Sequence, residues 1–114
     1  MQQGIEFAEV IDEVAFDPDN GELVLIMRTN RDWSDAVKMT EQIKSKVGNY
    51  MQFAAGGQMA EAFPDHKESK VRLQLDCKFL PTEPVIPFLE NLNEVLMKGG
   101  MRLVVNCMEK PQGS

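Results

Sequence analysis

Hydrophobic and polar positions alternate, run together or recur by threes and fours in six successive stretches, and each pattern predicts one kind of element. Val10 to Phe16 and Leu23 to Arg28 are apolar runs rich in β-branched residues, separated by Asp17-Pro-Asp-Asn-Gly21. Asn-Gly between two such runs predicts a hairpin. The second run, Leu-Val-Leu-Ile-Met, does not alternate, which suggests a strand covered on both faces. Asp32 then offers an N-cap, with Asp35 in the capping-box place. Trp33, Ala36, Val37, Thr40, Ile43, Val47, Tyr50, Met51 and Ala54 form one helical stripe that ends at Gly56-Gly57. Gln58 to Phe63 adds a short helical turn before Pro64, and residues 65–70 read as loop.

Val71, Leu73, Leu75, Cys77 and Phe79 alternate strictly with Arg72, Gln74, Asp76 and Lys78, the pattern of a strand with one face in the core and one face wet. A second helix starts between Thr82 and Pro87. Its stripe is Val85, Phe88, Leu89, Leu92, Val95 and Leu96, and Gly99-Gly100 stops it. Met101 to Met108 is the last strand, with Met101, Leu103, Val105 and Cys107 inward. The resulting expectation is an α+β fold: a two-layer sandwich in ββαβαβ order, with a four-stranded mixed sheet and two main helices on one face. Right-handed crossovers on one face give strand order 1-2-3-4. Parallel strands are usually covered on both faces, so either a partner covers the open face or strand three runs antiparallel to strand two.

The 114 residues fit one domain, expected over residues 1–109 with 110–114 as a disordered tail. Hydrophobic residues at 43% and charged residues at 26% fit a globular class. The net charge of −6 disfavours phosphate backbones and anionic membranes and suits a basic protein partner. No stretch has the length of a signal peptide's apolar region or of a membrane span, so the expected location is the cytoplasm. Cys77 and Cys107 are expected as free core thiols.

Candidate chemistry is sparse. Asp17-Pro-Asp-Asn-Gly-Glu resembles a calcium loop only superficially. Counted from Asp17, glycine falls at position five instead of six and Arg28 stands at twelve instead of glutamate. A type I or I′ turn accounts for it, and no metal or cofactor is expected. His66 is the only histidine and the cysteines lack Cys-x-x-Cys spacing, which disfavours zinc and a Cys-His nucleophile. Phosphate-binding and nucleophile-elbow motifs are absent, and Asp12, Glu13 and the other carboxylates fall on predicted solvent faces. Two surfaces stand out. One is the open sheet face, with Arg72, Gln74, Lys78 and Arg102 and no base-stacking aromatics, so nucleic-acid binding is the least favoured function. The other is the long Gly56 to Lys70 connection, with Asp65 and His66, and Trp33 near a pocket.

Val10-Ile-Asp-Glu-Val14, Gly21-Glu-Leu-Val-Leu25, Asp32-Trp33, Phe63-Pro64 and the alternating Val71 to Phe79 together resemble a family of small bacterial domains of unknown function. The resemblance implies an architecture and carries no active site. The expected function is therefore a non-catalytic protein-binding module, accessory, immunity-type or homo-oligomeric, whose partner is another protein or a second copy in a homodimer. The alternatives are a small-molecule binder or enzyme built on the Gly56–Lys70 loop and, last, a weak nucleic-acid binder.

Overall fold

The computed structural model describes Ile5, residues 12–66 and residues 69–107. The elements are β1 (Glu13–Asp17), β2 (Glu22–Thr29), α1 (Ala36–Ala55), α2 (Gln58–Ala62), a 3-10 turn (Pro64–His66), β3 (Lys70–Cys77), α3 (Val85–Lys98) and β4 (Arg102–Cys107). The expected start of β1 at Val10 and the tail at 110–114 lie outside the described residues. The sheet order is β1-β2-β3-β4. β1 pairs antiparallel with β2, while β2 with β3 and β3 with β4 are parallel. The fold is thus the expected mixed-sheet sandwich, and of the two ways to resolve the parallel-strand tension, an antiparallel β3 is excluded.

The β1–β2 turn explains why the sheet starts as a hairpin. The Asp17 backbone carbonyl accepts a hydrogen bond from Gly21 N–H at 2.8 Å, and its carboxylate accepts from Asp19 N–H and the Asn20 amide. Only Gly21, at φ +68°, takes a left-handed backbone there. A type I′ turn needs two such residues, so a type I bend closed by glycine is the form adopted.

One sheet face carries Leu23, Leu25, Met27, Val71, Leu73, Leu75, Cys77 and Leu103, and α1 and α3 pack on it. Ile5 is fully buried in the same core. The α1 stripe differs from the expected one. Met39, Ile43, Lys46, Val47 and Tyr50 are buried, whereas Val37 is 74% exposed. The helix begins at Ala36 because Asp32 is used locally: its Oδ1 accepts from Ser34 N–H and Ser34 Oγ–H and caps no helix. In α3 the buried residues are Val85, Leu89 and Leu96, with Phe88 and Leu92 packed alongside, and Val95 turns outward. Pro87 is tolerated because first-turn N–H groups lack helical acceptors in any case.

Candidate functional site

The face away from the helices is set by register. Ala15, Val24, Arg72 and Arg102 form one row across the sheet; Glu13, Ile26, Gln74 and Val104 form the next; and Arg28, Asp76 and Asn106 form a third. Arg72 donates to Asp17 Oδ2 (3.0 Å), Glu22 Oε1 (3.2 Å) and Gln74 Oε1 (3.4 Å). Arg72 is level with Val24 and Asp17 with Glu22, so this contact slants across β2. Arg102 clasps Glu22 with Nε and Nη2 at 3.0 and 2.8 Å. Gln74 donates to Asp76, Asp76 also accepts from Asn106, and Arg28 pairs with Glu13 across β1 and β2.

Two arginines and two carboxylates therefore cancel at the end of this face where β2 and β4 begin. The hydrogen bond from Arg102 holds the Glu22 carboxyl below its usual range against the opposing effect of burial. Asp17 is lowered by Asn20 first and Arg72 second. In turn, Glu22 raises the already high value of Arg102. Of the cations expected on the open face, Arg72 and Arg102 are thus paired with carboxylates, while Lys78 lies outside the network, its Nζ 5.6 Å from the Phe79 ring centroid. Val24 and Ile26 on this face are only 2% and 6% exposed. The second face of β2 is covered within one chain.

A second charged group lies on the opposite side of the sheet, where sequence reasoning placed none. Asp12, expected on the surface, is buried. Its Oδ1 sits 2.9 Å from Lys46 Nζ, with both side chains at 0% exposure, and its Oδ2 accepts from Arg28 N–H. Tyr50 O–H donates to the Ile26 carbonyl and accepts from Asp12 N–H. Burial pushes the Tyr50 hydroxyl well above its ordinary value. The signal was in the sequence as spacing: Lys46 lies three residues after Ile43 and four before Tyr50, on the buried stripe itself. This cluster fastens the entry to β1, the middle of β2 and α1 to one another.

The residues tied to the Gly56–Lys70 connection separate. Trp33 is buried and its Nε1 donates to the Phe79 carbonyl at 2.9 Å, which places it at the carboxyl ends of β2 and β3. Asp65 is exposed in the 3-10 turn that precedes the amino end of β3, and His66 shares that turn. Eight paired residues separate the two ends of β3, about 23 Å at strand rise. Trp33 therefore does not share a site with Asp65 and His66. Among the described residues, no group of three or more His, Cys, Asp or Glu side chains is placed to hold a metal ion, and no helix is long and apolar enough to cross a membrane.

One concavity runs along β4, whose outer edge has no partner among the described strands. Ile86, Glu90, Asn93 and Met97 follow one another at spacings of four, three and four on one flank of α3. With Leu103 and Val105 they line two adjoining hollows: an apolar one of about 270 Å³ that reaches Pro81, and one of about 600 Å³ with a mixed lining that reaches Lys70, Glu22 and Arg102. Asn93 Oδ1 accepts from Leu103 N–H at 2.9 Å and fixes helix against strand. Of the seven exposed large apolar side chains among the described residues, Leu80, Ile86, Val95, Met97 and Val105 belong to the segment from the end of β3 through β4.

A family model now gives the chain its relatives: it is that of a family of unknown function, DUF6572, and it matches residues 3–109. The chain belongs to DUF6572. The comparisons with curated proteins and with solved structures returned no match. The resemblance to a family of unknown function thus holds over nearly the whole chain. For this DUF6572 member the match supplies a lineage and leaves the chemistry to be argued from the β4 edge, the paired sheet face and the buried Asp12–Lys46 pair.

Proposed function

We propose that this DUF6572 member is a non-catalytic protein-binding module that works through the free edge of β4, and that the partner seated there is a second copy of the chain. The observation that carries the reading is the apolar groove between α3 and β4, beside a strand edge that has no partner among the described residues. Exposed edges with an apolar flank are ready templates for another strand.

The sequence of β4 suits self-association about a twofold axis. With Val104 on the axis, antiparallel pairing sets Leu103 against Val105 of the partner and Arg102 against Asn106 of the partner. Apolar then meets apolar on the helix side and no like charges meet on the other, the pairing that stabilises neighbouring strands.

Solution mass tests this directly. Sedimentation equilibrium should give twice the chain mass at micromolar concentration. Val105→Glu, at a position already 38% exposed, should return the protein to monomer with an unchanged circular dichroism spectrum. A wild-type chain that stays monomeric up to its solubility limit overturns the second-copy assignment.

A second reading has one observation of its own. Met59, Ser69 and Lys70 from the 56–70 connection, together with Gly100 and Met101, line a hollow of about 230 Å³, which favours a small ligand there. A ligand at 100 times its dissociation constant adds about 2.7 kcal/mol to stability. A metabolite thermal-shift panel that moves wild type and not Lys70→Ala supports this reading, and no shift across the panel removes it.

A further inference from the structure

The two cysteines end adjacent strands in register: Cys77 is the last residue of β3, Cys107 is the last of β4, and the parallel ladder sets them opposite each other. Neighbouring strands lie about 4.8 Å apart, inside the Cα separation of about 4.4–6.8 Å that a disulfide spans. Each thiol leans into the gap between the strands. Cys77 S–H points to the Asn106 carbonyl on β4 at 3.7 Å, and Cys107 S–H points to the Lys78 carbonyl just past β3 at 4.0 Å. Their exposures differ, with Cys77 fully buried and Cys107 partly open.

We propose that Cys77 and Cys107 are a thiol-oxidation site that takes a low-molecular-weight disulfide as oxidant and closes to an intramolecular disulfide between β3 and β4. The step balances in two exchanges. The Cys107 thiolate attacks one sulfur of the small disulfide, forming a mixed disulfide and releasing one small thiolate. Cys77, after giving its proton to solvent, attacks the Cys107 sulfur, forms the Cys77–Cys107 bond and releases the second small thiolate. The protein loses two hydrogens and the oxidant is reduced to two thiols.

Cys107 goes first because it is the reachable sulfur. Burial, and after it the neighbouring Cys107, push the Cys77 thiol up to about 12. The second exchange therefore waits on Cys77 giving up its proton, and the mixed disulfide on Cys107 is the intermediate through which the bond closes. Once made, the bond ties the edge strand β4 to the interior strand β3.

The test is mass spectrometry of the full-length reduced protein incubated with oxidised glutathione. Wild type should first gain one glutathione on Cys107 and then lose it, ending two hydrogens lighter with the Cys77 and Cys107 peptides cross-linked and a higher unfolding midpoint. Cys77→Ser should stop at the Cys107 mixed disulfide. Cys107→Ser should stay unmodified while folded. Chains linked only to one another, glutathione retained separately on both cysteines, or both thiols left free after prolonged exposure would each overturn the assignment.

Discussion

Lys46 and Asp12 face each other at 2.9 Å with no exposed surface on either side chain. A buried ion pair is weak evidence of net stability, but breaking one by removing a single partner leaves a charge stranded in a medium that cannot solvate it. Lys46→Met should destabilise the protein by about 3–5 kcal/mol in urea unfolding. Asp12→Asn, Lys46→Met together should recover much of that loss, because Asn keeps an acceptor for the Arg28 N–H. If the double variant is as unstable as the sum of the singles, the two groups do not act as a pair.

The network on the other face predicts a pH dependence. Because Arg102, and then Arg72, hold the folded Glu22 carboxyl below its ordinary 4.5, the unfolded chain takes up this proton first as pH falls. The stabilisation is therefore complete above 4.5 and is lost as pH drops from there through the lower folded value. Glu22→Gln should flatten the acid limb of a plot of urea midpoint against pH and cost about 1 kcal/mol at neutral pH, where a half-open charged network contributes modestly. Identical acid limbs for wild type and Glu22→Gln would show that Glu22 is not clasped.

The alkaline limb has the opposite sign and a different owner. The reduced Cys77 thiol is raised from 9.0 to about 12 by burial and by Cys107. The unfolded thiol ionises first as pH rises, so stability present below 9.0 is lost on the way to 12. Tyr50 contributes its own loss only above its ordinary 10.0. Between 9.0 and 10.0, reduced wild type should lose stability faster with pH than Cys77→Ala, measured by thermal melts in a reducing buffer. Parallel slopes in that window would place the Cys77 thiol in contact with water.

Much of the fold was legible because its signals were local. Strict alternation from Val71 to Cys77 named a one-sided strand, Asn20-Gly21 named the hairpin, and the glycine pairs marked where helices stop. What escaped were features that one helix face or one strand cannot specify alone. Lys46 was passed over on chemical type although it stands on the buried stripe, because its partner Asp12 is 34 residues away and only the fold brings them together. Glu22 figures in the sequence only as the residue that closes the Asp17-Pro-Asp-Asn-Gly-Glu stretch, yet it binds Arg102 from a strand two places across the sheet. Trp33 and the Asp65-His66 turn were grouped by the expectation of one pocket, and strand direction sends them to opposite ends of the sheet.

Trp33 offers a measurement of its own, since it is the only tryptophan. Its Nε1 satisfies the Phe79 carbonyl at 2.9 Å where β3 leaves the sheet. Trp33→Phe keeps most of the apolar contact and orphans that carbonyl, so a loss of about 1–3 kcal/mol is expected. Native fluorescence should be blue-shifted and move red in one transition with the loss of helix signal. A fluorescence change that precedes the helix signal would mean that the α1 entry opens separately from the core.

The run Leu23-Val-Leu-Ile-Met27 raised the question of what covers the second face of β2, and Ile26 answers it in measurable form. Ile26 points away from both helices, opposite Glu13 on β1 and Gln74 on β3, yet it is 6% exposed. If a second copy were needed to cover it, its truncation would change association. Covered within one chain, Ile26 should instead behave as a core residue. Ile26→Ala should cost about 2–5 kcal/mol at a protein concentration low enough to keep the chain monomeric. Val37→Ala, at 74% exposure on α1, should stay within about 0.5 kcal/mol. An Ile26→Ala loss that appears only as concentration rises would transfer the covering of this face to a partner and move the binding surface from the β4 edge to the sheet.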